Sequence, residues 1–158
     1  MTSTLQVDAT PSAPAEWGDL APAHPDHEFT ASSAWTDLAA RHYGGAEARW
    51  LAARREGRLV AGVPLLLRRR KGLGRLESSF DGTVGGVLVA DDLTPTEAHD
   101  ATGRLAEAAT DLLRGRTGQV VFTLAGERRE AVARELTGRG WQRQDYTTAV
   151  VDCRKGLD

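Results

Sequence analysis

The sequence predicts a single α/β domain of the α+β layer type, with helices on both faces of a mixed sheet. Two apolar runs, Arg49–Arg54 and Arg58–Leu67, flank Glu56-Gly57 and indicate an antiparallel N-terminal hairpin. Two later runs, Gly86–Ala90 and Val120–Leu124, are separated by an amphipathic helix, which implies a central parallel pair with a right-handed crossover. A length of 158 residues fits one domain, and 41% hydrophobic residues can build a core.

Residues 1–28 are predicted to be a mostly irregular segment before a folded domain at residues 29–158. Regular structure is disfavoured there by four prolines: Pro11, Pro14, Pro22 and Pro25. Trp17 and Leu20 can still dock on the domain. The stretch His24-Pro25-Asp26-His27 offers two histidines without further ligands at useful spacing, so it does not predict a metal site.

The first predicted helix spans Thr30–Tyr43. Ser32 or Ser33 can cap it, and Gly44-Gly45 ends it. Helical spacing predicts one packed face made of Trp35, Leu38, Ala39 and His42.

The two strands of the hairpin lead into less regular sequence. Pro64 cannot donate to a ladder, so the second strand is either an edge there or carries a bulge. A basic turn and Leu76 then precede the glycine-rich loop Ser78–Gly86. Glycines permit positive φ and close backbone approach, so such a loop either turns the chain sharply or brings its backbone to a ligand.

The second helix has the clearest signal, at Thr94-Pro95-Thr96-Glu97. Thr94 can cap, Pro95 suits the first helical position, and Glu97 completes a capping box. The apolar residues that follow keep helical spacing to about Arg114: Ala98, Ala101, Leu105, Ala108 and Leu112.

The last part of the chain predicts a helix at Glu127–Thr137 and a strand at Tyr146–Cys153. The helix ends at Gly138 and Gly140, and Trp141 packs nearby. Its inward residues are Val132, Ala133 and Leu136. Cys153 is the one cysteine of the chain, which excludes an intramolecular disulfide.

Charge is unevenly distributed along the chain. The first 40 residues hold six acidic residues and no Lys or Arg; since the whole chain carries −2 and this segment −6, the rest carries +4. The densest basic cluster is Arg68–Lys71, with Arg75 close by. It indicates either a nucleic-acid patch or a solvated hairpin end. No apolar run is long enough to span a membrane and no secretory signal is visible, so we expect a cytoplasmic protein.

The order of these elements resembles the GNAT acyltransferase fold, in which a late helix ends in a Gly-aromatic pair, here Gly140-Trp141. That fold holds the pyrophosphate of coenzyme A on a glycine-rich turn before the helix after the central strand. The corresponding junction here is Ala90-Asp91-Asp92-Leu93-Thr94-Pro95, which has two carboxylates and no glycine. We therefore predict no ordinary acetyl-CoA site and no cofactor, because two anionic groups would repel.

Residues 47–90 resemble the first half of FemAB/FemX-like proteins, the peptidoglycan-bridge aminoacyltransferases of bacteria. The shared patterns are Gly62-Val63-Pro64-Leu65, then Ser78-Ser79 followed by Gly82-Thr83-Val84-Gly85-Gly86. Upstream, Phe29 and Trp35 match a helix entry of that family. The chain departs from the pattern at Phe80, Asp81 and Val84. Family members carry two GNAT-like halves, so this chain resembles one half that needs a second half or a second copy.

The resemblance implies an acceptor site lined by Ser78, Ser79, Thr83, Gly85 and Gly86, with Arg41 and the Arg68–Lys71 cluster available for an anionic acceptor. The alternative is that the loop only connects two strands and that the arginines are solvated. No catalytic dyad is visible. Asp91 with Asp92 offers a candidate base, although such a pair more often stands at a helix start, and neither Ser78 nor Ser79 has a local base.

Two classes of function remain open. The first is an acyl- or aminoacyl-transferase part, in which a small-molecule or peptide amine attacks a carbonyl activated on a tRNA or a thioester. Nucleic acid other than tRNA is not expected. The second is a non-catalytic binding or dimerisation module derived from the same fold.

Overall fold

The computed structural model describes residues 5–23, 31–79, 85–124 and 129–145. In chain order the elements are β1 Gln6–Thr10, α1 Trp17–Ala23, α2 Ser33–His42, β2 Glu47–Arg55, β3 Arg58–Arg70, β4 Leu73–Glu77, β5 Leu88–Val89, α3 Pro95–Asp111, β6 Thr117–Val121 and α4 Arg129–Gly138. The strands form one sheet in the order β1-β2-β3-β4-β6, with β5 beside β3. Only β4 and β6 are parallel among these pairs, so the predicted mixed sheet is confirmed.

Two tight turns build the centre of the sheet. Glu56-Gly57 joins β2 to β3 with φ values of 52° and 83°, and Lys71-Gly72 joins β3 to β4 with φ values of 49° and 82°. Positive φ at both central residues is the signature of the two-residue hairpin turn whose twist matches a sheet. The first hairpin was predicted; β4 was not, although Lys71-Gly72 repeats the pattern of Glu56-Gly57.

The parallel pair is real, but its members differ from those predicted. Val120 and Val121 of β6 pair with Leu76 and Glu77 of β4, whereas β5 pairs antiparallel with β3. The helix between the two predicted strands does connect β5 to β6. The predicted pairing of these two runs was wrong: within the described residues β5 pairs with β3, and β6 takes as its parallel partner β4, which precedes β5 on the same edge of β3.

Helices cover both faces of the sheet, as predicted. The larger core lies under α3, where Ala101, Leu105 and Ala109 pack against β2 and β3. On the opposite face α1 packs through Trp17 against Trp50, and α2 packs through Ala39 against Leu66. The sheet therefore forms the middle layer.

The N-terminal segment corrects one expectation. β1 pairs antiparallel with β2 from Gln6 opposite Arg54 to Thr10 opposite Trp50, and α1 follows it, so residues 6–10 and 17–23 are not irregular. Pro11 and Pro14 fall between these two elements and interrupt neither. The free edge of β2 supplies backbone hydrogen-bond partners for residues 6–10, and the composition of that segment does not show this pairing.

The predicted helix caps are confirmed, whereas the predicted buried face of α2 is only partly correct. Ser32 caps α2 by accepting from the N–H of Trp35, yet Leu38 is 50% exposed and the buried residues are Thr36 and Ala39, so the predicted face is rotated. The capping box of α3 is present in full.

The later elements are only partly tested. Leu136 of α4 is buried and Trp141 packs on Phe122, with ring centroids 5.0 Å apart. The predicted strand Tyr146–Cys153, the His24–His27 stretch and Phe29 lie outside the described residues. The central place predicted for Val120–Leu124 is therefore untested. None of the described helices is long and apolar enough to cross a bilayer.

Candidate functional site

The most unusual feature of the sheet is an interrupted strand. β4 and β5 lie on the same edge of β3, with Glu77 opposite Leu66 and Leu88 opposite Gly62. Only residues 63–65 of β3 separate these two pairings, yet the chain needs residues 78–87 to pass from β4 to β5. β4 ends at Glu77 and β5 begins at Leu88, so the described strands leave a gap in the ladder on this edge of β3. Pro64 lies in the gap, where β3 is locally an edge and no amide donor is required, as predicted.

Ser78, Gly85 and Gly86, which we call the loop neck, lie at the two ends of the segment between β4 and β5. They contact the residues that follow β6. Ser78 donates its N–H to the carbonyl oxygen of Val121 at 3.0 Å, and its Oγ accepts from the N–H of Thr123 at 2.9 Å. Gly85 donates its N–H to the carbonyl oxygen of Thr123 at 3.2 Å. The loop neck is therefore closed by one side-chain and two backbone hydrogen bonds that join Ser78 and Gly85 to Val121 and Thr123.

Close packing explains why glycines return the chain to the sheet. A Cβ on Gly85 would overlap the carbonyl oxygen of Ser78, and a Cβ on Gly86 would lie 3.1 Å from Cδ2 of Leu124. These contacts support the structural reading of Ser78, Gly85 and Gly86. They leave the acceptor-site reading as a prediction.

The other predicted site residues are spread over the molecule. Ser79 is 8% exposed beside the loop neck, whereas Thr83 lies outside the described residues. Arg41 is exposed on α2 and donates its Nε–H to the carbonyl oxygen of Asp37 within the same helix. Across the described residues no hydrogen bond or ion pair joins Arg41 to the loop neck.

A buried carboxylate that the sequence did not single out directly precedes Ser78. The Glu77 side chain is 5% exposed and forms ion pairs with two arginines: Arg68, and Arg75 whose Nε lies 2.8 Å from Oε2. Burying a carboxylate is costly unless it is paired, and here two guanidinium groups share the one charge. Arg75 and Glu77 alternate along β4 and so share one face of the strand. This spacing indicates a paired carboxylate only once β4 is known to pair with β3, which carries Arg68.

Arginines of the basic cluster line a groove beside the turn end of the β3–β4 hairpin, which we call the arginine groove. It has a volume of about 840 Å³ and lies between the C-terminal end of α2, the hairpin and the start of β6. No aspartate or glutamate lines it; its polar and larger side chains are His42, Tyr43, Arg68, Arg69, Arg70, Leu73, Arg75, Thr117 and Gln119. The described part of the chain contains no cluster of three metal-ligating side chains.

The N-terminus of α3 is occupied by its own side chains. Thr94 Oγ1 accepts from the N–H of Glu97 at 3.3 Å, and Glu97 Oε2 accepts from the N–H of Thr94 at 2.8 Å. Arg58 donates to Asp92 at 2.6 Å, and this hydrogen bond lowers the pKa of Asp92. Hydrogen bonds from Thr94, aided by Arg55, likewise lower the pKa of Glu97. Both carboxylates are therefore ionised at neutral pH.

Comparison with solved structures identifies the fold. FemX aligns with 84% of this chain and 31% of its own, at 15% identity and a TM-score of 0.60. A ribosomal-protein-alanine N-acetyltransferase from Brucella melitensis biovar Abortus 2308 aligns over 94% and 99%, at 18% identity and a TM-score of 0.51. A transcriptional regulator from Bacillus halodurans C-125 aligns over 93% and 100%, at 9% identity and a TM-score of 0.55.

These comparisons show a GNAT-like fold and, at such identities, the fold alone. The chain covers less than a third of the FemX length. No protein-family profile matches the chain, and no curated protein matches its sequence.

The GNAT fold implies coenzyme A at the start of α3, and the residues there do not fit it. A pyrophosphate bound at that helix end needs free N–H groups and a positive local field. Here the N–H of Glu97 is capped by Thr94, Pro95 has no N–H, and Asp92 and Glu97 bring negative charge. The junction therefore disfavours an anionic cofactor at this helix end.

Proposed function

We propose that this chain is an N-acyltransferase-type lobe that transfers an acyl or aminoacyl group to an amine without holding coenzyme A at α3. In this reaction the amine nitrogen bonds to the donor's carbonyl carbon, and the ester or thioester bond of the donor breaks. The proton lost by the amine goes to the leaving oxygen or sulfur. A tRNA ester or an acyl thioester is the donor class that this chemistry requires.

The interrupted strand carries the proposal. Among the described strands, residues 63–65 of β3 have no partner on the edge that β4 and β5 share, so the ladder is interrupted beside the loop neck. In this proposal the gap between the two strand ends receives an extended acyl donor and orients its carbonyl against an acceptor. Ser79 and Thr83, next to this gap in sequence, are the proposed acceptor contacts, together with Ser78, Gly85 and Gly86 of the loop neck. Arg41 is the proposed remote contact for an anionic acceptor.

A second lobe completes the proposed site. The alignment with FemX covers 84% of this chain but 31% of that protein, which supports one lobe matching part of a larger enzyme. Either a second GNAT-like half or a second copy of this chain would supply the missing wall. We propose a cytoplasmic, bacterial enzyme of this kind.

The experiment compares two thioester donors, one with and one without the nucleotide portion of coenzyme A, and a tRNA ester. Purified protein is incubated with a panel of primary amines and with acetyl-CoA, acetyl-pantetheine or aminoacyl-tRNA, and amide products are measured by mass spectrometry. We expect acetyl-pantetheine or aminoacyl-tRNA to serve at least as well as acetyl-CoA. A strong preference for acetyl-CoA over acetyl-pantetheine in transfer would contradict our interpretation of the α3 junction.

Variants of the loop neck provide the internal control. Gly85→Val places a branched side chain against the carbonyl oxygen of Ser78 and should abolish transfer, whereas Gly44→Ala meets nothing within 4 Å and should not. Equal activity of both variants would remove the loop neck from the mechanism.

The second candidate is a non-catalytic module that binds a partner. Its supporting observation is Leu73, a large apolar side chain that is 57% exposed at the start of β4. Light scattering at increasing protein concentration tests it. A folded protein that makes no amide from any donor, yet forms a dimer weakened by Leu73→Gln, would favour this candidate.

A further inference from the structure

The arginine groove is a second site, separate from the loop neck. It lies at the start of β4 and β6, around residues 73–75 and 117–119, whereas the loop neck lies beyond the ends of those strands. We propose that this groove binds the phosphate groups of a nucleotide, either free or within a single-stranded RNA. This inference does not depend on the proposed transfer activity, because it concerns binding at a different place.

Buried Glu77 makes the groove an organised site rather than a loose collection of surface charges. Its carboxylate is 5% exposed and contacts Arg68 from one side and Arg75 from the other. Arg68 also lies over the ring of Tyr43 at 5.1 Å, and Arg75 reaches Oε1 of Gln119 at 3.4 Å. Both guanidinium groups are thus held in place before a ligand arrives, which lowers the entropy lost on binding.

The arginines of the groove keep N–H groups that can donate to a ligand. The side chains of Arg68 and Arg75 remain 38% and 50% exposed although both contact Glu77. Arg70 also lines the groove and pairs with no carboxylate among the described residues. The groove therefore carries positive charge that its own acidic neighbours do not neutralise.

The balance of charge favours phosphate over a single carboxylate. The local carboxylates are Glu77, shared by Arg68 and Arg75, and Glu47, shared by Arg49 and Arg69. Each shared carboxylate leaves an excess positive charge, to which Arg70 and Lys71 add. One carboxylate ligand would neutralise little of this field. Guanidinium groups bind phosphate oxygens in a bidentate manner, and several phosphates can use several arginines.

The size and the apolar part of the groove favour a nucleotide. A volume of about 840 Å³ lies within the range of small-molecule sites and exceeds what one inorganic anion needs. Leu73 is 57% exposed, and Tyr43 lines the same groove. Apolar and aromatic side chains beside a basic groove are the arrangement on which bases pack.

The test uses a short fluorescein-labelled single-stranded RNA in an anisotropy titration, with ADP, inorganic pyrophosphate and a glutamate-rich peptide as competitors. The variant is Arg68→Gln combined with Arg75→Gln. Its control is Arg104→Gln combined with Arg114→Gln, which removes the same charge from α3 and its C-terminal end. We expect about tenfold weaker binding in the groove variant, with a salt slope smaller by about two, and less than twofold change in the control.

The competitors distinguish the sources of phosphate. Displacement of labelled RNA by ADP at low concentration identifies a free nucleotide, whereas RNA binding that ADP does not displace identifies a strand. Equal binding of the glutamate-rich peptide would overturn the choice of phosphate, and equal loss in both variants would overturn the choice of groove. If the first variant does not fold by circular dichroism, Arg69→Gln with Arg70→Gln, two other arginines that line the groove, replaces it, and unchanged RNA binding there also overturns the proposal.

Discussion

Gly62 of β3 lies directly beneath the indole of Trp17 in α1. A Cβ on Gly62 would be 2.6 Å from Cζ3 of Trp17 and 2.9 Å from the carbonyl oxygen of Leu51. The indole also donates its Nε1–H to the carbonyl oxygen of Ala31 at 2.9 Å and meets Trp50 edge to face at 4.8 Å. This contact fixes the N-terminal helix on the sheet.

Gly62→Ala should therefore destabilise the protein by about 1–3 kcal/mol, because neither the packed indole nor the β2 backbone has room to move. Urea unfolding measures the change. Gly18→Ala is the matched control, since a Cβ there meets nothing within 4 Å and alanine favours the helix by up to about 1 kcal/mol. Equal stability of the two variants would contradict the packing of Trp17.

Gly103→Ala should destabilise the protein less than Gly62→Ala, although a Cβ on Gly103 would overlap the Arg139 side chain. The obstacle is the end of a flexible guanidinium group, which pairs with Glu107 at 2.8 Å and Glu135 at 2.6 Å. Displacing these partly exposed pairs costs up to about 1 kcal/mol each, and alanine in α3 regains about 1 kcal/mol. We expect a net change within about 1 kcal/mol in thermal unfolding; a loss as large as that of Gly62→Ala would show that Arg139 is rigidly held.

Thr94→Ala should cost about 1 kcal/mol, because it removes the hydroxyl that caps the N–H of Glu97. Thr96→Ala, two residues further along the first turn, is the control. It should change the free energy of unfolding by no more than about 0.5 kcal/mol, in the stabilising direction. The same loss in both variants would mean that the capping box contributes nothing specific.

The ion pair of Glu16 with Arg54, which joins the N-terminal segment to β2, should weaken in acid. Its hydrogen bonds with Arg54 lower the pKa of Glu16 from 4.5 to about 2. Because the folded pKa lies below the unfolded one, this contribution to stability is complete above about pH 4.5 and is lost as pH falls towards 2. The melting temperature of Glu16→Gln should approach that of the wild type across this window, and a constant difference would refute the pairing.

Ser78→Ala should open the loop neck. The N–H of Thr123 loses its acceptor, and leaving a partly buried donor unpaired costs about 1 kcal/mol or more. Hydrogen exchange at the Thr123 amide should quicken while α3 stays protected. Ser12→Ala, at an exposed position, provides the comparison; unchanged exchange at Thr123 would mean that the Ser78 hydroxyl does not close the neck.

The candidate site could be predicted only in fragments. The loop Ser78–Gly86 was recognised from its glycines, but its tie to Thr123 depends on a parallel pairing with β6 that no local pattern contains. Glu77 was missed because a buried carboxylate is recognisable only when its arginine partners are known to face it. The arginines were recognised as a cluster, whereas the groove requires α2 to end beside them.

Features whose interactions span a few residues follow from local sequence: the hairpin turn at Glu56-Gly57, the capping box at Thr94 and the inward face of α3 around Leu105. Turn and cap preferences act between near neighbours, so these features are present whatever the rest of the chain does. The tertiary structure alone decided that β4 and β5 share one edge of β3, that β1 joins β2, and that Arg68 meets Glu77. Such pairings are selected by the burial and hydrogen bonding of the whole sheet, because several partners satisfy each strand equally well in isolation.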